Sequence, residues 1–176
     1  MSELAPLAGL FVVGAVSGVL NVLAGGGSFL TLPVLIFIGL PAAVANATNR
    51  VGVLAQNLGG VVGFHRSGAM NWRWGLAVSV PAVLGAAVGA TWALQMSDFA
   101  FKRLLSIAML GMTLWTVTRR PAAAGDRPLS SPWRWSTVLA FFLIGVYGGL
   151  IQAGVGFAVL AATSMAGMDL VRGNAV

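Results

Sequence analysis

Apolar residues run along this chain in long unbroken stretches, without the alternation of a half-buried strand or the single stripe of a soluble helix. No Asp, Glu, Lys or Arg occurs from Leu4 to Asn49, from Gly75 to Ser97, or from Trp135 to Met168. About 20 consecutive apolar residues span a bilayer as a helix, so the first and last of these stretches each hold more than one passage. The pattern predicts seven helical segments, near 7–23, 28–39, 42–64, 75–95, 100–118, 135–152 and 156–167. The second and seventh are short for a full crossing. They read as half-helices, re-entrant pieces, or helices lengthened by their flanks. The expected fold class is all-α: a polytopic transmembrane helix bundle in the cell membrane.

Composition supports a lipid surface. Hydrophobic residues make up 58% of the chain and charged residues 8%, against about 25% charged in a typical soluble domain. The net charge of +6 does not indicate nucleic acid, because no basic cluster is interleaved with aromatics. The basic residues lie mostly in short segments between the apolar runs, as the positive-inside rule requires. With no cysteine, one histidine and four acids, a disulfide frame, a thiol nucleophile and a metal site are not expected. There is no Ser/His pair, carboxylate pair or His-Glu-x-x-His motif, so an enzyme is not expected either. No cofactor is implied beyond a coupling proton or ion, and no acid falls inside an assigned segment. With Glu3 and no basic flank, the N-terminus reads as a membrane segment and not as a cleaved leader.

The most polar stretch, 119–134, carries Arg119, Arg120, Arg127 and Arg134 against Asp126, with Pro121, Pro128 and Pro132 opposing a helix. It divides the chain into a first transmembrane repeat (1–118), a cytoplasmic connector (119–134) and the start of a second repeat (135–176). Counting back, 96–99 lies outside and 65–74 inside, in accord with His65, Arg66 and Arg73; Lys102 and Arg103 oppose this order. Trp72, Trp74, Trp133 and Trp135 read as lipid-facing interfacial anchors.

The repeat rests on self-similarity. Gly14-Ala-Val-Ser-Gly18-Val-Leu-Asn21 resembles Gly145-Val-Tyr-Gly-Gly149-Leu-Ile-Gln152. Gly25-Gly-Gly27 then faces Gly154-Val-Gly156, and Gly39-Leu-Pro-Ala-Ala-Val-Ala-Asn46 faces Gly167-Met-Asp-Leu-Val-Arg-Gly-Asn174. Duplicated halves with glycine-interrupted short helices mark secondary transporters. An odd number of crossings in the first half makes the copies inverted. By the length of the first copy, about 70 residues are lacking after Val176, which suggests a fragment or a truncated gene.

The ordered set Gly25-Gly-Gly-Ser-Phe-Leu-Thr-Leu-Pro, Gly39-Leu-Pro, Asn46-Ala-Thr-Asn49-Arg50 and Gly68-Ala-Met-Asn-Trp resembles the TauE/SafE family of sulfite exporters and related permeases. Gly148-Gly-Leu-Ile-Gln-Ala-Gly-Val-Gly-Phe and Arg172-Gly-Asn174-Ala-Val resemble the start of that family's second half. The resemblance implies transport of small anions: sulfite, organosulfonates, or short carboxylates.

Physically, the candidate substrate-binding set is Asn21, Gly25, Gly26, Gly27, Ser28, Asn46, Asn49, Arg50, Gln152, Gly154, Gly156 and Asn174. Glycine runs let the backbone leave the helix at membrane depth, where freed amides are tolerated only against protein or a wet cavity. Half-helices starting near Ser28 and Phe157 aim their positive ends at such a cavity, a ready anion site. Equally, the glycines serve close packing and the amides tie helices together. Arg50 offers a planar donor fork to an oxyanion, or snorkels to water from a boundary position. Thr48, Gln56 and Asn57 are candidates for the same path, and Arg172 is a weaker one. His65 is assigned to the inner loop. The pairs Gly14/Gly18, Gly59/Gly63, Gly85/Gly89 and Gly145/Gly149 have the spacing of packing seams. The expected partners are the lipid bilayer and a small anionic substrate, with a homo-oligomer if the chain is naturally this short. The competing reading is a non-transporting membrane scaffold, an accessory subunit, or a truncated gene product.

Overall fold

A computed structural model describes residues 4–118 and 129–176. The described residues form helices only: α1 (Leu4–Ala24), α2 (Ser28–Phe37), α3 (Ala42–Arg66), α4 (Trp72–Gln95), α5 (Asp98–Thr118), α6 (Trp135–Leu150), α7 (Val155–Met165) and α8 (Leu170–Asn174). Each predicted segment corresponds to one helix, with ends displaced by a few residues, and α8 is added. The part of the connector holding Arg119, Arg120, Pro121, Asp126, Arg127 and Pro128 lies outside the described residues.

The surface is apolar and the interior holds amides and hydroxyls. Phe11, Phe37, Leu94, Phe99, Leu110 and Val117 are exposed, whereas Ser17, Ser28, Asn46, Asn49 and Thr163 are buried. That distribution suits a hydrocarbon surround, where backbone and side-chain polar groups must find partners inside the protein. By length and apolarity together, α4 alone among the described residues suffices for a crossing; Gly9–Leu23, α2, α6 and α7 are apolar but shorter. α3 is long enough, but it carries Asn46, Asn49, Arg50, Gln56 and Asn57.

Two ends of the bundle can be told apart. At one, the amide of Ala42, the first residue of α3, donates to Asp98 at 3.1 Å, joining the α2–α3 and α4–α5 turns. At the other, Trp74 Nε1 donates to the Ser130 carbonyl at 3.2 Å and Ser130 N donates to Ala166 O at 2.9 Å. The α3–α4 turn, the start of α6 and the end of α7 therefore share one end, opposite the α4–α5 turn.

Two helical hairpins enter from these opposite ends. α1 runs alongside α3, with Gly18 against Gln56 and Val22 against Gly60. α2 then turns back antiparallel, placing Ser28 near Asn49. α6 runs parallel to α4 and α7 returns toward Ser130. The hairpin tips interleave: a Cβ on Gly25 would overlap the Gly156 backbone, and the Phe29 and Phe157 ring centroids are 5.9 Å apart.

α4 and α6 share the most extensive helix–helix interface. Gly85 and Gly89 lie against the carbonyls of Phe142 and Val146, while Gly145 and Gly149 lie against those of Ala82 and Ala86. Two of the four predicted seams thus form one reciprocal clasp. The other two do not act this way. Among the described residues, a Cβ on Gly14, Gly59 or Gly63 meets nothing within 4 Å, and Gly18 touches only the Gln56 side chain. Trp74 is a further correction: it is 3% exposed and packs edge-on against Phe141. Its indole N–H reaches a backbone carbonyl of the connector, which outweighs an interfacial position. Trp72, Trp133 and Trp135 are exposed.

Candidate functional site

The helix breaks create a problem of unpaired carbonyls. The last turn of a helix leaves carbonyl oxygens without intrahelical partners, and inside a membrane these need donors. Polar side chains supply them here. Asn174 Nδ2 donates to Val22 O near the end of α1. At the end of α6, Arg50 Nη2 donates to Gly149 O and Asn46 Nδ2 donates to Leu150 O at 3.5 Å. Beyond the break, the Tyr147 hydroxyl donates to Ala153 O. On the α1–α2 side, the Ser17 hydroxyl adds a bond at 2.7 Å to Gly27 O, which already accepts from the Leu30 and Thr31 amides at the start of α2.

The first turn of α2 is anchored to α3. Asn49 Nδ2 donates to Ser28 Oγ at 2.9 Å, and the Thr31 hydroxyl donates to Asn49 Oδ1. Asn49→Ala removes both bonds and strands two hydroxyls. It is expected to lower stability by about 1–2 kcal/mol, read as a reduced unfolding midpoint in detergent micelles. An unchanged midpoint would show the network to be idle.

A cavity of about 750 Å³ lies beside the interleaved tips. Of the predicted set, Asn21, Gly25, Ser28, Arg50, Gln152, Gly156 and Asn174 border it. Gly26, Gly27, Asn46, Asn49 and Gly154 do not border it, though Asn49 bonds Ser28, which does. Asn57 also lines the cavity and accepts from Asn21 Nδ2 at 3.4 Å; Thr48 and Gln56 do not border it. The walls are otherwise largely apolar, including Val53, Val78, Phe141 and Val159, and reach Phe64, Met70 and Gly75. At the opposite end a buried cluster of Leu32, Ala42, Ala45, Phe101, Leu105, Ile151 and Ala153 closes the bundle.

Arg50 is the only charged side chain lining the cavity among the described residues. A guanidinium has five N–H donors, so its contact with Gly149 O leaves donors for a ligand. α2 and α7 begin at the same cavity, through Ser28 on one side and Val155 and Gly156 on the other. Gln152 takes a left-handed backbone, φ 66°, rare outside glycine, and its buried Oε1 has no donor among the described residues. The arrangement presents positive potential to a small space with few competing groups.

Contacts on the two hairpins recur at one spacing. Asn174 follows Asn46 by the same 128 residues that separate Leu150 from Val22. A Cβ on Gly26 would lie 2.6 Å from the Phe157 ring and one on Gly154 would lie 2.8 Å from the Phe29 ring, again the same spacing. Gly39 and Gly167, with φ 100° and 96°, follow it too. At this register Gly26 stands opposite Gly154, one residue from the sequence alignment of the glycine runs.

Sequence reading passed over Ser17 and Tyr147. Ser17 lies four residues before Asn21, on the same helical face, which was the available signal. The role of Tyr147 depends on a backbone break that composition does not locate.

Comparison with known proteins agrees with this architecture. A probable membrane transporter protein of Haemophilus influenzae is 31% identical over 173 residues, covering 96% of this chain and 67% of its own length. A probable membrane transporter protein, ORF9, of a Sinorhizobium species is 25% identical over 170 residues, covering 96% of this chain and 65% of its own. The chain therefore spans about two thirds of the length of these relatives. No solved structure matches it. The sequence description of a membrane transporter family, and not of an enzyme family, matches residues 10–176, and on that match the chain belongs to the sulfite exporter TauE/SafE family.

Proposed function

We propose that this chain carries the substrate pathway of a multi-pass cell-membrane transporter for a small anion such as sulfite, an organosulfonate or a short carboxylate. One observation carries the reading: a single arginine fork faces a mostly apolar cavity in which two short helices begin. An anion entering that space meets the Arg50 donors and two helix N-termini, each favouring negative charge. Asn21, Ser28, Asn57 and Gln152 add polar groups that select shape and hydration. The recurrence of contacts at one spacing supports inverted duplicated halves, with the anion held between the tips near the bilayer midplane. The arginines and His65 at the Trp74–Ser130 end favour that end as cytoplasmic.

The test is flux of labelled sulfite, sulfonates and short carboxylates in sealed vesicles. Arg50→Ala is expected to reduce flux about tenfold to hundredfold, the loss of a charge-assisted contact. Arg50→Lys keeps the charge without the planar fork and falls between the two. Gly26→Leu drives a side chain into Phe157 and reduces flux as well. Parent-level flux in both Arg50→Ala and Gly26→Leu removes this site.

A further inference from the structure

We propose that Asn46 and Asn174 are a matched pair of positioning residues that set which end of the cavity is open; this rests on the transport reading above. Each side-chain amide donates to the last-turn carbonyl of the broken helix in the other hairpin, Asn46 to Leu150 O and Asn174 to Val22 O. The breaks deprive these carbonyls of their usual amides, so each asparagine binds the start of one half's third helix to the interrupted helix of the other half.

The two bonds occupy opposite ends. Asn46 is 4% exposed and does not border the cavity. It lies next to Ala42 and Ala45, in the cluster with Ile151 and Ala153 that closes the Ala42–Asp98 end. Asn174 borders the cavity with Ala175 and Val176, where Gly75 and Ser79 form the facing wall. Losing the Asn46 bond frees the closed end, and losing the Asn174 bond frees the other. Each amide gives one of its two N–H groups to a backbone carbonyl, and it is this tether whose loss shifts the balance between two arrangements.

A side-chain hydrogen bond of this kind inside a membrane shifts a two-state ratio about three- to fifteenfold. The chain contains no cysteine, so one introduced thiol reports on one place. Ala153→Cys reads the Ala42–Asp98 end and Ser79→Cys the Trp74–Ser130 end, by rates of labelling with an impermeant maleimide in vesicles of the two opposite orientations, each site read from its own side. Asn46→Leu, similar in size but lacking a donor, is expected to raise labelling at Ala153→Cys three- to fifteenfold and lower it at Ser79→Cys. Asn174→Leu is expected to do the reverse, and the double variant to return both rates to within about twofold of the parent. If leucine prevents folding at either site, Asn→Ala is read the same way. Shifts in one direction, an additive double variant, or unmoved rates overturn the pairing, since tethers with a purely structural role do not cancel. Labelling needs no flux: opposite shifts in a chain that moves no anion would sink the transport reading and leave the pair standing.

Discussion

Gly156→Ala is expected to abolish transport and to destabilise the hairpin tips. The added Cβ would lie only 2.1 Å from the Gly25 Cα, and a Cβ on Gly25 only 2.2 Å from the Gly156 Cα. Neither obstacle is a movable side-chain end, so the tips have to separate. Gly25 also sits at φ 70°, where any other residue is strained. Forced overpacking costs about 1–3 kcal/mol and sometimes more, and the separation falls at the cavity wall. Flux below a hundredth of the parent, with easier proteolysis near residues 24–28, is the expected reading. Gly52→Ala is the control, since a Cβ there meets nothing among the described residues within 4 Å. Parent-like flux and midpoint in Gly156→Ala would mean that the tips do not touch.

Gly145→Leu and Gly85→Leu are expected to remove most folded protein from the membrane fraction. Each Cβ would overlap a carbonyl of the facing helix, Ala82 O or Phe142 O. A leucine cannot be accommodated by rotamer choice when the obstacle is backbone. The loss exceeds about 3 kcal/mol, beyond the usual overpacking range, because α4 and α6 must move apart along their length. Monodisperse yield after detergent extraction measures it. Gly59→Leu, with open space around its Cβ, is expected to keep parental yield. Equal yields from the seam and control variants would deny the clasp.

The helices were legible because apolar runs and glycine breaks are local properties. Segment 28–39 became Ser28–Phe37 and segment 42–64 became Ala42–Arg66. Local pattern could not say which small residues meet a partner. Gly59/Gly63 and Gly85/Gly89 share a spacing, yet only the second pair faces another backbone. Trp74 was misread for the same reason, since its indole answers a carbonyl 56 residues away. The candidate site was legible as a residue list, and Arg50, Gln152 and Asn174 do converge on one cavity. The division between residues that border the cavity and those that do not was not legible, because Asn46 and Asn49 differ from Asn21 only in which tertiary partner takes their amide.

The glycine clasp also bears on how such a molecule can change shape. Interlocked backbones offer no alternative rotamers, and sliding one helix by a turn would put a residue bearing a Cβ where a glycine now meets a facing carbonyl. Motion that preserves the contact is a small rolling about its length. α4 and α6 then form one rigid pair that carries the second hairpin with it, so a change of shape that spares the pair has to displace the α1–α2 hairpin against it.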